Sequence, residues 1–502
     1  MFKQGTIPST TGVAIIGSGF SGLAMAIELK RAGRDDFVIL ERANDVGGTW
    51  RDNSYPGCAC DVPSHLYSFS FAPNPEWSST FSPQPEIYAY LKRVAEQEGI
   101  LPHVRFGIEV EDAAWDDAVR VWRLRTSGGE IEARAIASAA GPLSEPSIPD
   151  IPGLRNFKGA VFHSATWDHD HDLSGERVAV IGTGASAIQF VPQIQPKVSK
   201  LHLFQRTAPW IMPRPDRPLT RFEHVLYRLF PPAQLAMRKA IYWGRELFAI
   251  PMIRARLSKV IELAGRRHLA KQVPNPELRA KLTPDYAPGC KRILVSNDYL
   301  PSLTHQNVEL VTDGIAEVRE HSVVAVDGIE REVDTIILGT GFHVTDLPIA
   351  ERVRGSDGRT LAEHWDGSLE AHRGTTVKGF PNLFFVLGPN TGLGHTSVVL
   401  MAEAQAGYIR QALEHVERAG AAAVEPRPEA QQAWNEAIQR RSQGTVWLTG
   451  GCKSWYIDRN GRNSTLWPDH TFRFFSALRR FDPAEYVTVP AVVPAAPVEV
   501  PA

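Results

Sequence analysis

The stretch GVAIIGSGFSGLAMAIELKRAG, Gly12 to Gly33, decides how the chain begins to fold. Val13–Ile16 is an apolar run of strand length, and Gly17, Gly19 and Gly22 follow it at once. Beyond them Leu23, Ala26, Ile27 and Leu29 recur at helical spacing. Strand, glycine loop and helix in that order make a turn whose backbone N–H groups face a pyrophosphate at the helix N-terminus. A single G-x-G-x-x-G is weak evidence, but here the next strand also follows, FVILER at Phe37–Arg42, and Glu41 ends it. A carboxylate at that point accepts hydrogen bonds from both ribose hydroxyls, so it suits a ribose without a 2′-phosphate.

The unit returns in RVAVIGTGASAIQFVPQI, from Arg177. Strand Val178–Ile181 enters Gly182 and Gly184, Ser186 precedes Ala187, and a helix follows; the next strand is KLHLFQRT, Lys200–Thr207. Glu41 lies 24 positions after Gly17 and Arg206 lies 24 after Gly182, so a guanidinium stands where the first unit has a carboxylate. A carboxylate would repel a 2′-phosphate, whereas arginine grips one with a bidentate fork, and Thr207 adds a hydroxyl donor. The first loop therefore reads as an FAD site and the second as an NADPH site.

Composition bounds the rest. With 502 residues the chain has room for two to four domains, and 43% hydrophobic residues allow large cores. A net charge of −2, from 54 Lys and Arg against 56 Asp and Glu, removes the main argument for nucleic-acid binding. Met1–Gly12 does not read as a secretory signal, and no 18-residue apolar stretch suggests a membrane span. Cys58, Cys60, Cys290 and Cys452 are too few to make a useful disulfide framework in a chain this long. Cys58 and Cys60 form C-x-C rather than the C-x-x-C of a disulfide reductase and read as inert thiols. The expectation is a reducing, cytoplasmic compartment, with a disordered tail over residues 487–502.

Two dinucleotide loops in this order suggest a flavoprotein reduced by a nicotinamide, its FAD domain interrupted by the NADPH domain. ARAIASAAGPLSEP (Ala133–Pro146) reads as the outward crossing and REVDTIILGTGF (Arg331–Phe342) as the return. Between the outward crossing and the second loop lies FKGAVFHSATWD, with Phe157, Gly159, His163, Trp167 and Asp168 at fixed intervals. That pattern, F-x-G-x-x-x-H-x-x-x-W-[P/D], matches the fingerprint of type I Baeyer–Villiger monooxygenases. The resemblance spans roughly residues 12–485 and includes GGTW (Gly47–Trp50), YPGCACDVPSHLYSFSF (Tyr55–Phe71), CKR (Cys290–Arg292) and GPNTGLGHTS (Gly388–Ser397).

The resemblance implies conversion of a ketone to an ester or lactone through a peroxide carried at the flavin C4a carbon, with NADPH as reductant and O2 as oxidant. It implies Arg292 as the catalytic cation, Asp61 as its partner, Lys291 as a second contact to the NADPH 2′-phosphate, and Gly48, Thr49 and Trp50 packed against FAD. It makes His163 a relay in the interdomain linker rather than an acid or base at the flavin; no metal is expected, although His169 and His171 are close in sequence. Asp168 is expected to hold the turn after Trp167. The segment VWLTGGCKSWYIDRNGRNSTLWP, Val446–Pro468, resembles a mobile lid with Trp455 closing over NADP+. Many relatives have glycine after the W-Y-x unit, where this chain has Asp458, which leaves the lid contact open.

The expected fold is α/β with two Rossmann-like domains. FAD-binding parts occupy 1–145 and 336–486, the latter with a mobile loop at about 446–467; the NADPH-binding part occupies 146–335, with a helical insert at about 215–288. The insert, with FEHVLYRLF and AIYWGRELFAIPMIRARLSKVIELAG, is expected to pack or to line a substrate tunnel, with membrane contact through arginines beside aromatics as the alternative. The expected partners are a small ketone and O2, for a monomer or weak homo-oligomer. The competing readings are N- or S-oxygenation on the same scaffold, an NADPH-dependent reductase that inserts no oxygen, and a non-catalytic nucleotide sensor.

Overall fold

In the computed structural model, which describes residues 7–492, the apolar runs become two mainly parallel sheets. The first contains β1 (Thr10–Ile16), β2 (Phe37–Glu41), β3 (Val104–Phe106), β4 (Val110–Asp116), β5 (Val121–Thr126) and β6 (Gly129–Ser138). β1 lies between β2 and β6, parallel to both. Its residues after Thr10 are all buried, as expected of a strand covered on both faces. β6 serves three neighbours: its first half pairs antiparallel with β5, and its last residues pair parallel with the late strand Leu383–Phe385. Another late strand, Val353–Arg354, pairs with β4 at the sheet edge.

The second sheet holds β7 (Ala160–His163), β8 (Arg177–Ile181), β9 (Lys200–Phe204), and strands Val308–Val311 and Thr335–Leu338. All its pairings are parallel, with Thr335–Leu338 between β7 and β8 and Val308–Val311 outside β9. Late strands join the first sheet only after the chain has built the second, so the first nucleotide unit is interrupted by the second.

Helix α1 (Phe20–Arg31) follows the first glycine loop, α2 (Thr49–Asp52) carries the GGTW segment, and α3 (Gln84–Gln97) buries Ile87, Tyr90, Leu91 and Val94 at helical spacing. Helix α4 (Ala187–Ile194) follows the second glycine loop. The expected insert is α5 (Arg221–Leu229), α6 (Pro231–Ile253), α7 (Ser258–Gln272) and α8 (Pro276–Lys281). A capping box of Thr220 and Glu223 starts α5, and Asn275 caps α8.

The outward and return segments run side by side. The Ser147 amide donates to Gly341 O (2.8 Å), the His343 amide to Glu145 O (3.0 Å), and Thr340 Oγ1 to Ser147 O (2.6 Å). Thus the two connections between the sheets form one double-stranded joint.

Three sequence expectations are corrected. Cys290 and Cys452 are joined by a disulfide with Cα atoms 6.0 Å apart, so two of the four cysteines do form a bridge; sequence separation of 162 gave no hint of their contact. The tail is ordered at its start: strand Tyr486–Pro490 pairs antiparallel with Ala421–Pro426, and the rest of the tail from 493 lies outside the described residues. The strand expected over Lys200–Thr207 ends at Phe204. Among the described residues no helix is long and apolar enough to cross a membrane.

Candidate active site

The two glycine loops solve the same steric problem. Gly17 has φ +97°, and a Cβ on Gly22 would lie 1.9 Å from Gly17 O, so side chains there would drive α1 off β1. In the second loop Gly182 has φ +108° and a Cβ would fall 2.4 Å from Gly339 O. The middle glycines differ in kind. A Cβ on Gly184 would meet nothing within 4 Å, and one on Gly19 would make only ordinary contacts with Gly47 and Gly48, the nearest being Gly48 Cα at 3.7 Å. Those two faces are open, which is the shape a backbone cradle for a pyrophosphate requires.

Glu41 ends β2 at the mouth of the first loop. One carboxylate oxygen accepts from the Ser18 amide (3.0 Å) and hydroxyl (2.6 Å), and the other from the Ala43 amide (2.9 Å) and the Arg51 guanidinium (3.0 Å). The GGTW segment closes over the same loop: the Gly47 amide donates to Ser18 O (3.0 Å), and Gly48, at φ +51°, begins α2 with Thr49. Trp50 is buried, and its indole N–H donates to Tyr67 Oη (3.0 Å).

At the second loop, exposed Arg206 and half-buried Lys291 form no ion pair with any described carboxylate. Burial depresses the Lys291 pKa, and the like charge of Arg206 depresses it further. The charge of Asp285 offsets this in part, but neither cation is bound to a carboxylate, which leaves a position suited to a phosphate. Thr207 follows Arg206 and Ser186 precedes α4, each half-buried.

The fingerprint residues occupy the joint. Phe157 is buried against Ala179 and Phe204. A Cβ on Gly159 would lie 2.0 Å from Asp334 O, so the first fingerprint strand is pressed against the return segment. His163 ends β7 beside Leu338, buried, with its ring 5.7 Å from that of Phe342 and Nδ1 accepting from the Ala165 amide (3.1 Å). Burial lowers its pKa, weakly opposed by the Gly341 backbone, so the ring is neutral near pH 7. Trp167 packs between Phe162 and Phe190 of α4, and Asp168 accepts from the Asp170 amide (3.0 Å), closing the turn. His169 and His171 are engaged with Ser54 and with Glu176 and Thr335; no described cluster of His, Cys, Asp and Glu is placed to hold a metal.

Arg292 and Asp61 form an ion pair. Arg292 Nε and Nη2 each donate to one Asp61 oxygen, both at 2.7 Å, and Arg292 Nη1 reaches Leu393 O at 3.4 Å. The side chains remain 31% and 25% exposed, so the pair is not sealed in a core. Burial would raise the Asp61 carboxyl, but the charge and hydrogen bonds of Arg292 outweigh it and hold it below the usual carboxylate range. Asp61 in turn raises the Arg292 pKa against burial, so the guanidinium never loses its charge. The neighbouring thiols Cys58 and Cys60 are pushed up by burial, to about 12 for Cys58, and stay protonated.

Sequence reading missed several residues here. Arg245, from α6, donates from Nη2 to Asp61 O (3.0 Å) and puts a second guanidinium behind the pair. Gln189 of α4 accepts from the Tyr55 hydroxyl (2.9 Å) and donates to Ala59 O (2.9 Å), tying the second nucleotide unit to the YPGCACD segment. Buried Glu246, also of α6, accepts from His470 Nδ1 (2.9 Å) and the Thr471 amide (3.0 Å). Each partner lies far away in sequence, and an isolated Arg, Gln or Glu in a helical pattern carries no signal for it.

The 446–467 segment is anchored at both ends. Cys452 is bonded to Cys290, the residue before Lys291, while Asn390 and Gly392 amides donate to Ser464 O (3.0 Å) and Thr465 O (2.8 Å). Trp455 is 46% exposed, and Tyr456 points inward instead. Burial lifts the Tyr456 phenol to about 12, opposed by the charge of Arg292. Asp458, where many relatives have glycine, accepts from the Asn460 (3.0 Å) and Arg462 (2.9 Å) amides and so holds its own tight turn.

Comparison with known proteins agrees with this geometry. Residues 14–220 match the family model for pyridine nucleotide-disulphide oxidoreductase. A Baeyer–Villiger monooxygenase of Streptomyces coelicolor is 55% identical over 477 residues, covering 94% of this chain and 92% of the relative. A crystal structure of cyclohexanone monooxygenase from Rhodococcus sp. Phi1 bound to NADP+ superposes with TM-score 0.86 at 27% identity, covering 97% of this chain and 100% of that one. A structure of OTEMO in complex with FAD and NADP gives TM-score 0.86 at 27% identity, covering 95% and 99%. With that identity maintained over nearly its whole length, the chain belongs to the Baeyer–Villiger monooxygenase family.

Proposed function

We propose that the protein is an FAD-containing monooxygenase that uses NADPH and O2 to convert ketones to esters or lactones. The observation that carries this reading is the bidentate, partly exposed Asp61–Arg292 pair in a chain that also has two open glycine cradles. When bound, the flavin supplies the centre that activates O2 and the nicotinamide supplies the hydride that reduces it. Gly17, Gly19 and Gly22 let the first loop approach the FAD pyrophosphate, Glu41 takes its ribose, and Gly48, Thr49 and Trp50 close that side. Gly182, Gly184 and Ser186 receive the NADPH pyrophosphate, and Arg206, Thr207 and Lys291 receive its 2′-phosphate.

Arg292 then offers a permanent cation where negative charge develops on oxygen. A guanidinium that cannot deprotonate stabilises an oxygen anion without quenching it by proton transfer. Asp61 fixes the plane of the guanidinium through two hydrogen bonds and keeps it from wandering during turnover. Phe157, Gly159, His163, Trp167 and Asp168 make the joint on which residues 146–335 move against 1–145 and 336–486. His163 acts there as a neutral packing group beside the return segment. Trp455, exposed on the 446–467 loop, would meet the nicotinamide dinucleotide when that loop closes.

The test is incubation of the holoenzyme with NADPH, O2 and a panel of ketones, sulfides and amines, followed by product masses. Esters or lactones that gain one oxygen atom from labelled O2 are expected. Sulfoxides or N-oxides without any ester would overturn the reading in favour of N- or S-oxygenation, and NADPH oxidation without any oxygenated product would favour a reductase.

A further inference from the structure

Helices α5, α6 and α7 use their inner faces on the protein and leave their outer faces apolar. On α5, Phe222 and Leu229, seven residues apart, are 73% and 78% exposed. On α6, Trp243 and Leu247, four apart, are 56% and 67% exposed, and on α7, Val260 and Leu263, three apart, are 72% and 52% exposed. Spacings of three, four and seven put each pair on one helix face. The α6 stripe continues onto Phe472, whose ring lies 6.1 Å from that of Trp243. Scattered exposed apolar residues need no explanation, but three neighbouring helices each with such a stripe do.

The charge of the same segment is equally one-sided. Residues 221–281 carry thirteen Lys and Arg against four Asp and Glu, in a chain whose net charge is −2. Arg221, Lys239, Arg256, Lys259 and Arg267 are exposed and form no ion pair among the described residues. Apolar stripes interleaved with unpaired cations are the surface chemistry of a helix lying in the headgroup region of an anionic bilayer. A second copy of the chain docked face to face through this patch would set those cations against one another.

We propose that α5–α7 form a docking face for an anionic lipid surface, so that the protein binds membranes peripherally. The face is carried by the helix whose opposite side supplies Arg245 to Asp61. A docked bilayer surface would therefore lie about one helix diameter, roughly 10 Å, from the ion pair. Apolar ketones dissolved in a bilayer would be concentrated beside it. The docking itself does not depend on the reaction proposed above, because lipid binding is read without turnover.

The test is flotation of the flavin-loaded protein with vesicles of phosphatidylcholine alone and with phosphatidylglycerol added. Binding is expected only with phosphatidylglycerol and should fall as salt is raised, since about 1 kcal/mol per surface cation is screened. Trp243→Glu with Val260→Glu, and separately Lys259→Glu with Arg267→Glu, should each reduce the bound fraction about tenfold or more, by the loss of roughly 1.4 kcal/mol or more. Unchanged flavin absorbance and melting temperature would show that these variants fold. The wild-type comparison of the two vesicle types decides the matter even if they do not. Equal binding to both vesicle types, no binding to either, or full binding by folded variants would overturn the proposal. A concentration-dependent dimer dissolved by Trp243→Glu, without vesicle binding, would assign the face to a second copy instead.

Discussion

Arg292 and Asp61 stand 231 residues apart in the chain and meet through two hydrogen bonds of equal length, 2.7 Å. One comes from the segment after the helical insert and the other from a loop after the GGTW turn. Because both oxygens of one carboxylate are used, neither partner can rotate without breaking a bond. Arg292→Ala is therefore expected to leave anaerobic reduction of the flavin by NADPH largely intact while ester formation falls by ~10²–10³, the usual loss for a preorganised donor. Stopped-flow bleaching of the flavin and product yield measure the two arms. Slowed bleaching in proportion to product would contradict the assignment. Asp61→Asn, which keeps one acceptor, should lie between wild type and Arg292→Ala.

Arg206 and Lys291 lie close enough for their like charges to interact, and neither forms an ion pair among the described residues. Arg206→Ala should raise KM for NADPH by at least about tenfold, the loss of one charge-assisted contact at roughly 1.5–3 kcal/mol, and leave KM for NADH nearly unchanged. Steady-state kinetics with both nucleotides checks this, and a similar rise for both would remove the 2′-phosphate role.

Glu246 latches the insert onto helix Thr471–Leu478. Burial alone would raise its pKa, but hydrogen bonds from His395, Thr471 and His470 outweigh burial and bring it down to about 2 from an ordinary 4.5. A carboxylate whose folded pKa lies below its unfolded value adds stability that is complete above about 4.5 and is lost as pH falls toward about 2. Glu246→Gln should thus lower the melting temperature at pH 7, by an amount corresponding to about 3 kcal/mol at most. The gap between variant and wild type should narrow as pH drops below about 4. A gap that stays constant with pH, followed by calorimetry, would show that the carboxylate charge is not what holds the latch.

The Cys290–Cys452 bridge ties the residue before Lys291 to the 446–467 loop. Gly450 permits the approach, since a Cβ there would lie 2.7 Å from Cys290 Cβ. A bridge closing so long a loop typically contributes 2–4 kcal/mol. Mild reduction should lower the melting temperature and raise KM for NADPH, because the loop and Lys291 lose their shared anchor. After denaturation without reductant the chain should take up two alkyl groups, for Cys58 and Cys60, and four after reduction. Four groups in both cases would show that the bridge does not form.

The local features were legible because their causes are local. A buried parallel strand must be an apolar run, a loop around a pyrophosphate must have glycines where Gly17 and Gly22 allow no Cβ, and the charge at the end of the next strand chooses the ribose. Those constraints act within about 25 residues, so Gly17–Glu41 and Gly182–Arg206 carry them in plain order. The Asp61–Arg292 pairing was available only through family resemblance, and tertiary structure supplied its geometry. Folding alone decided that Arg245 stands behind Asp61, that Gln189 ties α4 to Tyr55, that Tyr456 rather than Trp455 faces inward, and that Cys290 meets Cys452. Such partners are chosen by the packing of whole sheets and helices, and the energy of each contact depends on a neighbour that no local pattern specifies.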